Sequence, residues 1–114
     1  MSVLNSRFYN NKSKQGGGIH ASTDEINSIK SKFVVEACTF VNNAANIAGG
    51  IYVSNHIIEI RNSVFETNQA TIGDGGSLFL DCTAFDYCVY DVYNNTFTNN
   101  TASIAGGAIK WNDI

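Results

Sequence analysis

The chain has 114 residues, 44% of them hydrophobic and 15% charged, with a formal net charge of −3. That length holds a single domain, and no basic stripe is present of the kind that neutralises phosphates, so nucleic acid is not an expected partner. No apolar run approaches the ~18 residues of a membrane helix, so no transmembrane segment is expected, and proline is absent while glycine and asparagine are plentiful.

Met1 to Arg7 has no hydrophobic stretch of the kind a secretory leader needs. The chain enters a repeated phrase at once, which reads as an excerpt from a longer chain in preference to one whose address was removed. Phe-x-x-Asn occurs as Phe8-Tyr9-Asn10-Asn11, Phe40-Val41-Asn42-Asn43, Phe65-Glu66-Thr67-Asn68 and Phe97-Thr98-Asn99-Asn100. A glycine pair follows each copy, at Gly17-Gly18, Gly49-Gly50, Gly75-Gly76 and Gly106-Gly107, 9, 9, 10 and 9 residues after the Phe. The Phe-to-Phe steps are 32, 25 and 32 residues, a period that signifies a solenoid.

Aligned on the Phe, the copies give columns. Val3, Val35, Ile60 and Val92 stand five residues before it, and Asn5, Ala37, Asn62 and Asn94 three before it. After it come Asn11, Asn43, Asn68 and Asn100, then Ser13, Ala45, Ala70 and Ala102, then Gln15, Ile47, Ile72 and Ile104. One residue type kept at one position means like side chains stacked on one another. The phenylalanines Phe8, Phe40, Phe65 and Phe97 are expected to form an internal aromatic stack, each ring worth on the order of 2 kcal/mol of buried apolar surface. The Asn column is expected to satisfy turn backbone between coils, and the glycine pairs to permit sharp corners. In the strand-like tails after the glycines, apolar residues occupy both adjacent columns, and the inward one is left open. The fold class is therefore all-β: a parallel β-helix (solenoid) of about four coils, residues 1–114 forming one segment. Its right-handedness is expected from the general preference of parallel crossovers and from the likeness given below.

Two stretches break the period, residues 20–30 and 81–88, both after a glycine-pair strand. They are expected to project from one edge of the solenoid, either as tolerated loop length or as a binding surface. Cys82 and Cys88 flank the second and form a candidate disulfide suited to an extracellular setting. Free buried thiols are the alternative, and the two readings stay open. Cys38 is left over as an apolar-facing thiol or a cross-chain partner. Asn11, Asn94 and Asn99 begin Asn-x-Ser/Thr sequons; Asn11 and Asn94 fall in columns read as inward, leaving Asn99 as the candidate glycosylation site.

The phrases Phe97-Thr98-Asn99-Asn100 and Gly106-Gly107-Ala108-Ile109, with looser copies at Gly49-Gly50-Ile51-Tyr52 and Gly75-Gly76-Ser77-Leu78, resemble the repeats of the polymorphic outer membrane protein family. The resemblance spans the four copies. It implies a right-handed parallel β-helix of the pectin-lyase-like kind, displayed at a cell surface or outside the cell, with adhesive or structural roles.

Asp81, Asp86 and Asp91 gather in or just beyond the second insertion, and two carboxylates brought close could serve acid–base chemistry on a polysaccharide or chelate calcium. No Lys or Arg stands beside them to bind an acidic sugar. His20 and His56 each follow a glycine-pair strand and are expected to share an edge. Residues 72–78 have the outline of a calcium nonapeptide but occur once, and read as a widened glycine turn. No cofactor, metal site or catalytic residue is expected, and the chain is read as a non-catalytic structural or adhesive module. Architectural and polysaccharide-active roles are the alternatives. Because neither end looks capped, the expected partners are other proteins or end-to-end copies of the chain, with surface glycans as further candidates.

Overall fold

A computed structural model describes residues 1–22, 32–82 and 89–113. Four strands make each turn of the backbone. The first coil holds β1 (Ser2–Leu4), β2 (Arg7–Tyr9), β3 (Lys12–Gln15) and β4 (Ile19–Ser22); the second holds β5 (Lys32–Glu36), β6 (Thr39–Val41), β7 (Ala44–Ile47) and β8 (Ile51–Ser54). The third comprises β9 (Ile57–Arg61), β10 (Val64–Glu66), β11 (Gln69–Ala70) and β12 (Leu78–Cys82), and the fourth β13 (Tyr90–Tyr93), β14 (Thr96–Thr98), β15 (Thr101–Ala102) and β16 (Ile109–Asp113). Each strand pairs in parallel with its counterparts in the neighbouring coils, giving four sheets in the orders β1-β5-β9-β13, β2-β6-β10-β14, β3-β7-β11-β15 and β4-β8-β12-β16. The architecture is a right-handed parallel β-helix of four coils.

The Phe-x-x-Asn phrase is one corner of this path. Phe8, Phe40, Phe65 and Phe97 pair in register along the second sheet and stack nearly face to face, with ring centroids 4.6, 4.9 and 5.0 Å apart. The next residue points outward because the strand alternates. The third takes left-handed backbone, with φ of 59° at Asn10, 59° at Asn42, 56° at Thr67 and 56° at Asn99. Asn tolerates that conformation and a β-branched residue does not. Replacing Thr67 by Asn should therefore raise stability by about 1 kcal/mol in denaturant unfolding. A variant no more stable than the parent would mean that the corner carries no strain. The fourth residue turns inward as the Asn ladder.

The column Asn5, Ala37, Asn62 and Asn94 forms the preceding corner, at φ of 50°, 55°, 52° and 53°. Asn94 is exposed, which corrects its expected inward placement. The inward residue is its neighbour Asn95, whose Oδ1 accepts the Ser63 N–H at 2.9 Å and whose Nδ2 donates to Ile60 O at 2.9 Å.

The glycine register also differs from the sequence alignment. Backbone hydrogen bonds place Gly17, Gly49, Gly76 and Gly107 in one column, and Gly16, Ala48, Gly75 and Gly106 in the column before it. The latter is the left-handed one, at φ of 65°, 60°, 73° and 66°. In the former, coils nearly touch: a Cβ at Gly49 would stand 2.5 Å from the Gly76 carbonyl oxygen. The third and fourth coils thus spend more residues between Phe and this glycine than the first two. The extra length throws Ile72 and Ile104 to solvent, 64% and 73% exposed, so the Ile column expected to stack runs only through Gln15 and Ile47.

The core lies inside the second and third coils, where Phe33, Val35, Phe40, Ile51, Val53, Ile58, Ile60, Phe65 and Leu78 are buried. In the tails after the glycines the inward residues are Ile51 and Val53, and Leu78 and Leu80, by their burial. Outside the first sheet, Arg61 donates to Glu36 Oε1 at 3.2 Å and pairs with Glu59, and Lys32 sits 3.0 Å from Glu59. Arg61 holds the Glu36 carboxyl below its ordinary value of 4.5, first by hydrogen bonding and then by charge. A carboxyl lowered in the folded state stabilises above its unfolded pKa, and that contribution is lost as pH falls through the folded value. The parent should therefore exceed Glu36→Gln in stability at neutral pH, and the two unfolding curves should converge below pH 4.5. A constant gap would remove the ion pair from the account.

Candidate functional site

Both period-breaking stretches leave the solenoid at one corner, between the fourth sheet and the first, after β4 and after β12. The second coil crosses the same corner with only Asn55 and His56 between β8 and β9. The outer face of the fourth sheet beside this corner carries the column His20, Tyr52, Phe79 and Lys110. Tyr52 stacks on Phe79 at 5.3 Å and 8°, and His20 meets Tyr52 edge-on at 5.0 Å and 81°. Sequence reasoning missed this aromatic column. Its signal was the residue between two inward apolar positions in each post-glycine strand, aligned coil to coil.

The next outward column is Ser22, Ser54, Asp81 and Asn112. Burial raises the Tyr52 phenol above its ordinary value, and the negative charge of Asp81 adds to the shift. Phe79, Ser54, Asn55 and His56 are buried although they belong to the outer side of the coil. The His56 ring donates from Nδ1 to Ser54 O at 2.7 Å and meets Phe33 edge-on. His20 therefore sits within a strand while His56 sits in the corner after one. The two histidines do not share a column.

Asp81 and Asp91 are placed on different sheets. Asp81 lies on β12 and acts on Tyr52, whereas Asp91 is exposed on β13, aligned with Glu59, and its charge reaches Arg61. Asp86 lies outside the described residues. Asp74 is bound into its own turn, its Oδ1 accepting the Ala105 N–H at 2.9 Å. Among the described residues no group of three or more His, Cys, Asp or Glu is arranged to hold a metal ion, and no helix is long and apolar enough to cross a membrane.

Cys38 is a free, buried thiol, with its Sγ 3.3 Å from Glu36 O and 3.4 Å from Val3 O. Cys82 is buried and disulfide-bonded. Cys88 lies outside the described residues, and its pairing with Cys82 is a proposal. Thiol labelling of the unfolded, unreduced chain should then find Cys38 alone, and reduction should expose all 3 cysteines. Full labelling before reduction would refute the bond. Asn99 is exposed at its left-handed corner, while the Asn11 side chain is engaged by Asn43.

Two stretches of the chain, residues 5–22 and 96–110, match the family model of the Chlamydia polymorphic membrane protein repeat. The chain carries polymorphic membrane protein repeats. The matched stretches run through the first and fourth coils, each from a left-handed Asn corner to the strand after the glycines. The repeat type is that of surface-associated proteins. No curated protein and no solved structure matches the chain.

Proposed function

We propose that the chain is a non-catalytic, surface-displayed module with a structural and adhesive role, using the fourth-sheet corner as its contact edge. Its side-chain regularity goes into ladders that keep the coil rigid, and a rigid scaffold suits a protein that presents an edge outward. The observation that carries the adhesive reading is the outward aromatic column of His20, Tyr52 and Phe79 beside the corner where the long connections leave. Aromatic faces next to hydroxyl and carboxyl groups are the usual means of holding sugar rings and peptide side chains.

The chain immobilised on beads tests the reading against cell-surface glycans and surface proteins. Binding should fall with Tyr52→Ala and persist with Val64→Ala, on the outer side of the second sheet. Equal binding by both variants would move the contact elsewhere, and an inert parent would remove adhesion. Turnover of a polysaccharide by the parent, lost in Asp81→Asn, would replace the module with an enzyme.

A further inference from the structure

The two ends of the solenoid are complementary, and the Asn ladder shows how. Each ladder residue sends Nδ2 in two directions. It donates back to a Phe carbonyl, from Asn43 to Phe8 at 2.9 Å, from Asn68 to Phe40 at 3.0 Å and from Asn100 to Phe65 at 2.9 Å. It also donates forward to the next Oδ1, each time at 3.0 Å, from Asn11 to Asn43, Asn43 to Asn68 and Asn68 to Asn100. The backbone N–H of each joins it on that same Oδ1. Among the described residues, Asn100 therefore ends the ladder with its N–H and one Nδ2 hydrogen pointing to no following Oδ1. Asn11 begins it with an Oδ1 that no preceding Asn reaches. One end offers donors and the other an acceptor, in the geometry already used three times between them.

The apolar columns end the same way. Val92, Phe97 and Ile109 close the interior on one side and Val3, Phe8 and Ile19 on the other, all only partly buried. At the fourth coil the interior opens as a cavity of about 240 Å³ beside Val92, Ile109 and Trp111. By register, Val3 continues the column of Val92, Phe8 that of Phe97 and Ile19 that of Ile109. The charges suit as well: the first coil carries Arg7, Lys12 and Lys14 with no acid, whereas Asp91 stands on the fourth.

We propose that copies of the chain stack head to tail, the fourth coil of one seated on the first coil of the next in the register that joins coils within the chain. The end face, bounded by extents of 37 and 29 Å, measures on the order of 800 Å², matching the ~800 Å² per partner of a standard stable interface. Because the operation is a translation along the solenoid axis with rotation that does not close, the contact is heterologous and generates an open fibre. Successive copies then lie about 20 Å apart, four rungs of ~4.8 Å. The proposal depends on the fold and not on adhesion, so a chain that binds no glycan still stacks.

The 114-residue chain, followed by sedimentation and by fluorescence of its single Trp111, tests it. Mass should grow without a fixed endpoint as concentration rises, and Trp111 emission should shift to the blue as the next copy covers it. Val3→Lys should block the head and Val92→Lys the tail, since a lysine ammonium left in either end face resists desolvation. Each variant alone should be a folded monomer, and a mixture should form a heterodimer and nothing larger. A parent that stays monomeric, a parent that stops at a closed dimer, or variants that do not pair when mixed would each overturn the proposal. If a lysine variant does not fold, the mass growth of the parent decides alone.

Discussion

Phe65→Ala should lose ~3–5 kcal/mol of unfolding free energy, the range for emptying an aromatic site in a core that cannot collapse around it. The ring is 0% exposed and is sandwiched between Phe40 at 4.9 Å and Phe97 at 5.0 Å. Collapse is barred because both neighbours are fixed by the parallel ladders on either side. Phe97→Ala should lose less, because its ring is stacked on one side only among the described residues and is partly buried. Chemical denaturation of the two variants beside the parent measures both. A loss below about 1 kcal/mol at Phe65 would mean that the stack does not hold the coils together.

Asn68→Ala should be as damaging, at ~3–5 kcal/mol, for a different reason. The amide is 0% exposed and serves four partners. Its Oδ1 accepts the Asn43 N–H and Nδ2–H, and its Nδ2 donates to Phe40 O and Asn100 Oδ1. Alanine leaves a backbone N–H and a backbone carbonyl in the interior with nothing to bond, each costing ~1–3 kcal/mol, and interrupts the ladder in both directions. Asn100→Ala should cost less, since the fourth coil is partly open to water. Equal losses at the two positions, read from the same denaturation curves, would contradict the end-to-middle gradient on which the stacking proposal relies.

The period was legible because a stacked coil constrains the same position again and again. Phe8, Phe40, Phe65 and Phe97 must all fit between like rings one rung apart, and Asn43 and Asn68 must each reach a carbonyl below and an amide above. Corners were legible only in part. Asn at Asn10, Asn42 and Asn99 marks left-handed backbone, but Ala37, Ala48 and Thr67 adopt it with no sequence signal, because pairing to the adjacent coils outweighs a local cost of 1–2 kcal/mol. The glycine register was misread by one residue in the third and fourth coils, since spacing shows where a glycine lies and not which carbonyl approaches it. Ile72 and Ile104 were misplaced by the same slip. Of the candidate contact edge, the sequence located the interruptions of the repeat, but the stacking of Tyr52 on Phe79 could not be seen until the strands were laid side by side.

Sequence by itself determined that the chain is an all-β solenoid of four coils, and which phenylalanines and asparagines recur within it, because periodic contacts write a periodic text. Only the tertiary structure decided which of two neighbouring residues faces inward after each glycine, how far Asp81 and Asp91 are separated by sheet, and that the first and last coils present matching faces. Those outcomes depend on pairings between residues 25 to 35 positions apart, and a pairing at that distance is fixed by the register of whole strands and not by any one residue within them.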